Sequence, residues 1–209
     1  MASSRGRDVA VDLFLEVAEA AIHAILCVRK VYPRSTFERR LLYGAPIHMN
    51  RHPELCQYIS SVLANARPLL LSGEAEKLVV SLHQEGSDGA GSEAYIFEAA
   101  RFGSESQQGM GADEDTLLFD AEAQLRDLLL RTMALEWQLA PLPENCRFSL
   151  LVHSKGGTSG EGTRAALETG SWLLAMGSES ARMVQSGEVS PLRTIDTLGL
   201  RFQVFASKW

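Results

Sequence analysis

Three residues at a spacing of four are the first that could do chemistry: His48, His52 and Cys56 read H-x-x-x-H-x-x-x-C. Imidazole and thiolate are zinc ligands, and residues four apart share a face when both are helical. Pro53 works against that arrangement. Proline is favoured as the first residue of a helix, which puts His52 at the helix mouth and His48 in an extended segment before it. Only Cys56 is then well inside the helix. A structural zinc site needs four ligands and usually shows close pairs such as C-x-x-C. The expectation is therefore no metal and no cofactor, with Cys56 packing as a small apolar group.

The stretch GGTSGEGT, 156–163, is the second candidate. It follows an apolar strand-like run and precedes a helical one, where a phosphate loop would sit. Gly157 and Gly162 have the separation of a P-loop, but Thr163-Arg164 follow where lysine and a hydroxyl residue are required. The dinucleotide fingerprint fails too, because Ala165 stands at its third glycine. The segment reads as a flexible linker. Hydrolase chemistry has no G-x-S-x-G elbow, and the histidines at 23, 48, 52, 83 and 153 are scattered. His23 with Glu19 reads as a surface pair one helical turn apart. Two aromatics remain. Tyr58 falls at the edge of a helix's apolar face. Trp172 lies in GSWLLAM, and either anchors the tail to the body or clamps a ligand between them.

The elements that must position these residues follow from periodicity. Asp8 to Tyr32 reads as a long, mostly buried helix with one polar stripe, Asp12, Glu16, Glu19, His23, Cys27 and Lys30, and Pro33 ending it. Phe37–Met49 is extended, with Pro46 confining part of it to an edge or loop. A second helix starts at Pro53 and ends or kinks at Pro68. KLVVSLH (77–83) and EAYIFEAARF (93–102) are strands joined by a polar, glycine-rich hairpin loop, QEGSDGAGS. A flexible loop, 103–116, leads into a helix over about 117–139. CRFSLLVH (146–153) is a strand, 164–176 a short helix, and strand-like runs at 191–195 and 200–205 lie in an irregular tail. The order implies an α+β domain with helices on one face of an antiparallel or mixed sheet.

Size and charge narrow the function. A chain of 209 residues with 45% hydrophobic content is one domain of generous size. The formal charge of −6 argues against a protein built to grip nucleic acid. Only Arg29–Arg40 is locally basic, and it reads as a solvated turn. Three unpaired cysteines, Cys27, Cys56 and Cys146, fit reduced thiols in a cytosolic or nuclear protein. The stretch MASSRGRDVAVD reads as neither a signal peptide nor a membrane span.

FLEVAEAAIHAILCVRKVYP, HPELCQYI and RPLLLSGEAEKLVVSL resemble the HORMA domain family, and within it the non-catalytic accessory subunits of translesion DNA polymerase zeta. FSLLVHSK (148–155), SWLLA (171–175) and PLRT (191–194) resemble later parts of the same proteins. The resemblance implies a single HORMA-like domain over 8–209. Its core, about 8–153, would be a mostly antiparallel sheet on three helices; its mobile C-terminal seatbelt, about 154–209, would close over an extended, proline-containing partner peptide. By position, Tyr58 and Trp172, with Tyr32, fall where the peptide's proline packs. Val189, Pro191, Leu192, Gln203 and Phe205 fall on the platform for the C-terminal domain of a Y-family deoxycytidyl-transferase polymerase. Arg39, Arg126 and Trp137 fall on the face where HORMA domains form homo- or heterodimers. Phe205 stands where a tyrosine is expected, and Trp137 where a small residue is.

The implied partners are the catalytic subunit of polymerase zeta, the Y-family polymerase and shieldin-type proteins, and the implied location is the nucleus. A spindle-checkpoint member of the same family, and a nucleotide-dependent enzyme using 156–163, are the alternatives.

Overall fold

The first helix, α1 (Ala2–Val28), carries apolar residues on most of its circumference. Val11, Phe14, Val17, Ala18, Ile22 and Ile25 are all buried, and α1 packs against two further helices and both sheets. The structure is a computed structural model that describes residues 2–84, 93–102, 114–155, 160–168, 188–197 and 200–208. Residues 85–92 and 103–113, expected from the sequence to be loops, and the glycines at 156 and 157, lie outside the described residues.

Pro33 does not end α1. The helix stops at Val28 because Lys30 adopts φ 58°, and the turn closes through Lys30 N–H to Cys27 O at 3.1 Å and Val31 N–H to Leu26 O at 3.1 Å. These are the two bonds of a Schellman cap, with lysine where glycine is usual. The polar stripe also differs from expectation. Asp12 is exposed and pairs with Arg67, but His23 and Cys27 are buried. His23 is not a surface partner of Glu19: Asn50 N–H donates to its Nδ1 at 3.3 Å.

After a 3₁₀ turn at Arg34–Thr36, β1 (Phe37–Leu42) and β2 (Ala45–Asn50) form a separate two-stranded sheet. Tyr43 and Gly44 both have positive φ, 49° and 70°, the requirement of a two-residue type I′ hairpin turn. Pro46 sits within β2 opposite Leu41.

Helix α2 (Pro53–Ser72) begins on Pro53 but neither ends nor breaks at Pro68, which lies inside it. The buried series Leu55, Ile59, Leu63, Ala66 and Leu69/Leu70 continues past the proline and holds the last turn, while Pro68 faces solvent. Gly73, at φ 77°, caps the helix in the left-handed conformation.

The main sheet contains β3 (Ala75–Gln84), β4 (Glu93–Phe102), β5 (Cys146–Ser154), β6 (Glu188–Thr197) and β7 (Leu200–Lys208). Its order is β5-β3-β4-β7-β6, with every neighbouring pair antiparallel. The tail therefore ends in a regular hairpin, β6–β7, docked on β4. The strand-like runs expected at 191–195 and 200–205 are these two strands, each longer than its run; their pairing was not read from the sequence, and a bulge at 191–193 interrupts the alternation. Helix α1 packs on β4 and β7, α2 on β3 and β5, and α3 (Glu114–Gln138) on β6. The core between the layers includes Leu78, Val80, Leu82, Phe97 and Val204, with Phe14 and Phe202 edge to face at 5.2 Å. A short helix, α4 (Glu161–Glu168), follows β5 and rests on α2; it starts earlier than periodicity implies. The fold is α+β.

Candidate functional site

Strand β5 is an outer strand. It pairs with β3 on one side, and among the described residues no strand pairs with its other edge. The edge of a sheet is where an extended chain can add as a further strand. Beside it lies a pocket of about 330 Å³, lined by Tyr32, Thr36, Asn50, His52, Tyr58 and Phe148 among others. Phe148, on β5, is the shared wall. Tyr58 meets it edge to face at 5.8 Å and Tyr32 at 6.1 Å. Tyr58 is 43% exposed, enough ring surface to take a partner. Burial, with nearby Tyr58, holds the Tyr32 hydroxyl above its ordinary range.

The pocket's rear wall is organised by Asn50. Its Nδ2 donates to Thr36 Oγ1 at 2.8 Å, its Oδ1 accepts from His52 N–H at 2.8 Å, and its carbonyl accepts from Cys56 Sγ at 3.0 Å. These bonds fix the backbone at His52, which lines the pocket, and engage the Cys56 thiol, which does not line it. Among the described residues no three His, Cys, Asp or Glu side chains are placed to hold a metal. Tyr32 and Tyr58 were singled out in the sequence and come together here. Phe148, Thr36 and Asn50 were not. Phe148 carried one legible signal, alternation with buried Leu150 on an apolar strand. Trp172 lies outside the described residues.

The glycine-rich loop meets a carboxylate. Glu74, between α2 and β3, accepts Gly162 N–H at 2.9 Å on Oε1, and Thr163 N–H and Thr163 Oγ1–H, both at 2.9 Å, on Oε2. The donors hold its carboxyl below the usual range, the backbone N–H groups of Thr163 and Gly162 contributing most. The amides at the start of α4, where the nucleotide reading needed a phosphate, are occupied by the protein's own anion. A Cβ on Gly160 would collide with the Glu74 carboxylate, and one on Gly162 would lie 2.9 Å from its Oε1.

On β7, next to the outer strand β6, Gln203 and Phe205 are half-buried and alternate with buried Phe202, Val204 and Ala206. Pro191 is exposed on β6 opposite Phe205. Leu192 departs from the expected set: it is only 8% exposed and belongs to the core, so its side chain is not offered on this face. Val189 pairs with Ser207, and its side chain lies outside the described residues. On α3, Arg126, Leu130 and Trp137 are exposed, Trp137 at 85%. Arg126 and Trp137 are three turns apart on one helix face. Arg39, on β1, and Glu136, beside Trp137, both act on His48, so the hairpin and the end of α3 adjoin; burial is the main cause of that histidine's lowered pKa.

The chain is 30% identical over 201 residues, 96% of its length and 91% of the relative's, to the Homo sapiens protein named mitotic spindle assembly checkpoint protein MAD2B. It is 25% identical over 202 residues, 94% of its length and 96% of the relative's, to the Drosophila melanogaster protein named DNA polymerase zeta subunit 2. Among solved structures it resembles a chain in the crystal structure of a mitotic checkpoint complex, with TM-score 0.74 and 19% identity, covering 95% of this chain and 98% of that one. It also resembles C. elegans HTP-2 bound to the HIM-3 closure motif, with TM-score 0.67 and 10% identity, covering 96% and 90%. No protein-family model matches the chain.

Proposed function

The chain belongs to the MAD2B family of HORMA-fold proteins, and from that membership we propose that it is a non-enzymatic adaptor that binds an extended, proline-containing peptide along β5. The observation carrying this reading is the outer strand β5, on whose far side no strand pairs among the described residues, beside the Tyr32–Tyr58–Phe148 pocket. An added strand gains main-chain hydrogen bonds from the edge, and the pocket selects one side chain. The proline ring suits walls made of aromatic faces, since it brings apolar surface and little entropy to lose. Residues 154–187 connect the β5 edge to the opposite edge of the sheet, and they would form the belt over the bound peptide, Trp172 facing Tyr58. The relative named as a polymerase zeta subunit and the neighbour bound to a closure motif support this reading.

The peptide donor is proposed to be the catalytic subunit of polymerase zeta. A Y-family polymerase C-terminal domain would dock on Pro191, Gln203 and Phe205, making the chain a bridge in translesion synthesis in the nucleus. Shieldin-type partners would use the same groove, and Arg39, Arg126 and Trp137 would meet a second HORMA domain.

The test is fluorescence anisotropy with a labelled peptide carrying a proline between aliphatic residues. Tyr58→Ala and Phe148→Ala should each weaken binding about thirtyfold, the scale of an aromatic anchor worth about 2 kcal/mol. Unchanged affinity in both variants would remove the groove from the reading.

A further inference from the structure

The rear wall of the Tyr32–Tyr58–Phe148 pocket hangs on one backbone N–H that points away from its own sheet. Asn50 is the last residue of β2 and stands opposite Phe37 on β1. The next residue, Arg51, donates its N–H back to Thr36 O at 2.9 Å. Amides alternate in direction along a strand, so the Asn50 N–H is turned the other way, towards α1. There it donates to Nδ1 of His23 at 3.3 Å, and the histidine is wholly buried. From this anchored backbone the Asn50 side chain reaches Thr36 Oγ1 through Nδ2 and the His52 N–H through Oδ1. Thr36, Asn50 and His52 all line the pocket; His23 does not.

The imidazole is an unusual choice for that buried place. Nδ1 accepts, so it carries no proton, and the neutral ring carries its proton on Nε2. Among the described residues Nε2 has no hydrogen-bond partner. A buried N–H without an acceptor lowers stability. On that side a phenylalanine ring would serve the core better. What histidine supplies and an apolar ring does not is one acceptor aimed at Asn50.

Resting on the groove reading above, we infer that His23 is a positioning residue for peptide binding: its Nδ1 fixes Asn50, and Asn50 fixes the rear wall of the pocket. Without the acceptor, the Asn50 N–H is left buried and unpaired, and the end of β2 shifts to satisfy it. The carboxamide then leaves its place between Thr36 and His52, and the wall opposite the aromatic rings loses its shape.

Three variants of the full chain test this with the labelled aliphatic–proline peptide. His23→Phe keeps a ring of similar size and removes the acceptor; it should weaken the peptide about tenfold, the scale of one buried donor left unpaired. His23→Asn puts Oδ1 where Nδ1 was, one bond from Cγ, and should restore Kd to within about threefold of the unaltered chain. Ile25→Val, in the same buried helix and away from the pocket, should lower the melting temperature and leave Kd unchanged. In an Asn50→Ala background, His23→Phe should weaken the peptide no further, because the group it places is gone. Nitrogen-15 NMR reads the contact directly: in the unaltered chain His23 should show a protonated Nε2 and a bare Nδ1. The Asn50 side-chain amide signals should move in His23→Phe and return in His23→Asn.

A proton on Nδ1 in the unaltered chain would overturn the inference whether or not any variant folds. So would full peptide affinity in His23→Phe, or losses in His23→Phe and Ile25→Val that track melting temperature alone. Additive effects of His23→Phe and Asn50→Ala would show that the histidine does not act through Asn50. Tyr58→Ala and Phe148→Ala test the groove without touching His23, so a groove that fails is told apart from a histidine that does not place it.

Discussion

Arg29 and Glu93 form a bidentate ion pair inside the protein: Nε donates to Oε2 at 2.9 Å and Nη2 to Oε1 at 2.7 Å, with both side chains only 3% exposed. Nη2 also donates to Ala140 O at 2.7 Å, and Tyr95 Oη donates to Glu93 Oε2 at 3.0 Å. The pair binds the end of α1 to the first residue of β4 and to the chain leaving α3. Removing one partner leaves an uncompensated buried charge. Arg29→Leu should therefore cost about 3–5 kcal/mol in urea unfolding, while Tyr95→Phe should cost about 1 kcal/mol. Equal losses in the two variants would show that the charge is not the dominant element.

His23 makes stability depend on pH. Burial, helped by nearby Arg40, pushes its imidazole down to about 4. In the folded chain it stays neutral and accepts Asn50 N–H; in the unfolded chain it takes up its proton near its ordinary value of 6.5. Between those values the unfolded state binds more protons, so stability is full above about pH 6.5 and falls as pH drops towards 4, by up to about 3 kcal/mol. The difference in unfolding free energy between the unaltered chain and His23→Gln should shrink across that window. Parallel profiles would mean that His23 does not titrate on unfolding. Burial lowers His48 and His153 as well, which is why the difference, not the single profile, is diagnostic.

Pro68 offers the opposite sign. It faces solvent within α2 and lacks the N–H that would bond to the carbonyl of Ala64. An interior proline costs up to about 3 kcal/mol against alanine, part of it offset by the stiffer unfolded chain. Pro68→Ala should stabilise by about 1–2 kcal/mol, read as a rise in melting temperature. An unchanged or lower value would show that neighbouring turns have already adapted to the proline.

Legibility followed the local signals. Pattern alone placed α2, α3 and the strands β3, β4 and β5 to within a few residues, because each carries a strong period and β4 matches at both ends, whereas α1, expected from Asp8 to Tyr32, runs from Ala2 to Val28. What failed was decided by partners distant in sequence. His23 reads as part of a polar stripe until β2 covers it. Pro68 reads as a helix end until the buried leucines beyond it hold the last turn. Half of the pocket was visible because Tyr32 and Tyr58 occupy positions that a family resemblance marks. Phe148 was hidden in an ordinary apolar strand, and Glu74 in a turn. No spacing relates Glu74 to Gly160 and Gly162, whose composition reads as a linker although packing against a carboxylate explains it.

The last prediction separates two surfaces at opposite ends of one sheet. Gln203 and Phe205 share the outer face of β7, because inward-facing Phe202, Val204 and Ala206 alternate with them. Cross-strand pairing sets Pro191 and Ile96 on either side of Phe205, and Thr194 and Glu98 on either side of Gln203. The result is a partly exposed row with an apolar centre and a polar flank, on strands remote from β5 in the sheet order. Distant sites without shared contacts act independently. Gln203→Ala with Phe205→Ala should weaken a Y-family polymerase C-terminal domain by about thirtyfold or more, as for a central aromatic anchor. The aliphatic–proline peptide should bind as before. Phe202→Ala, which empties the core beside Phe14, is the contrasting control: a cost of about 3–5 kcal/mol should weaken both ligands together. If the double substitution behaves like that control, its effect is on folding; if it leaves the polymerase domain bound, that domain docks elsewhere.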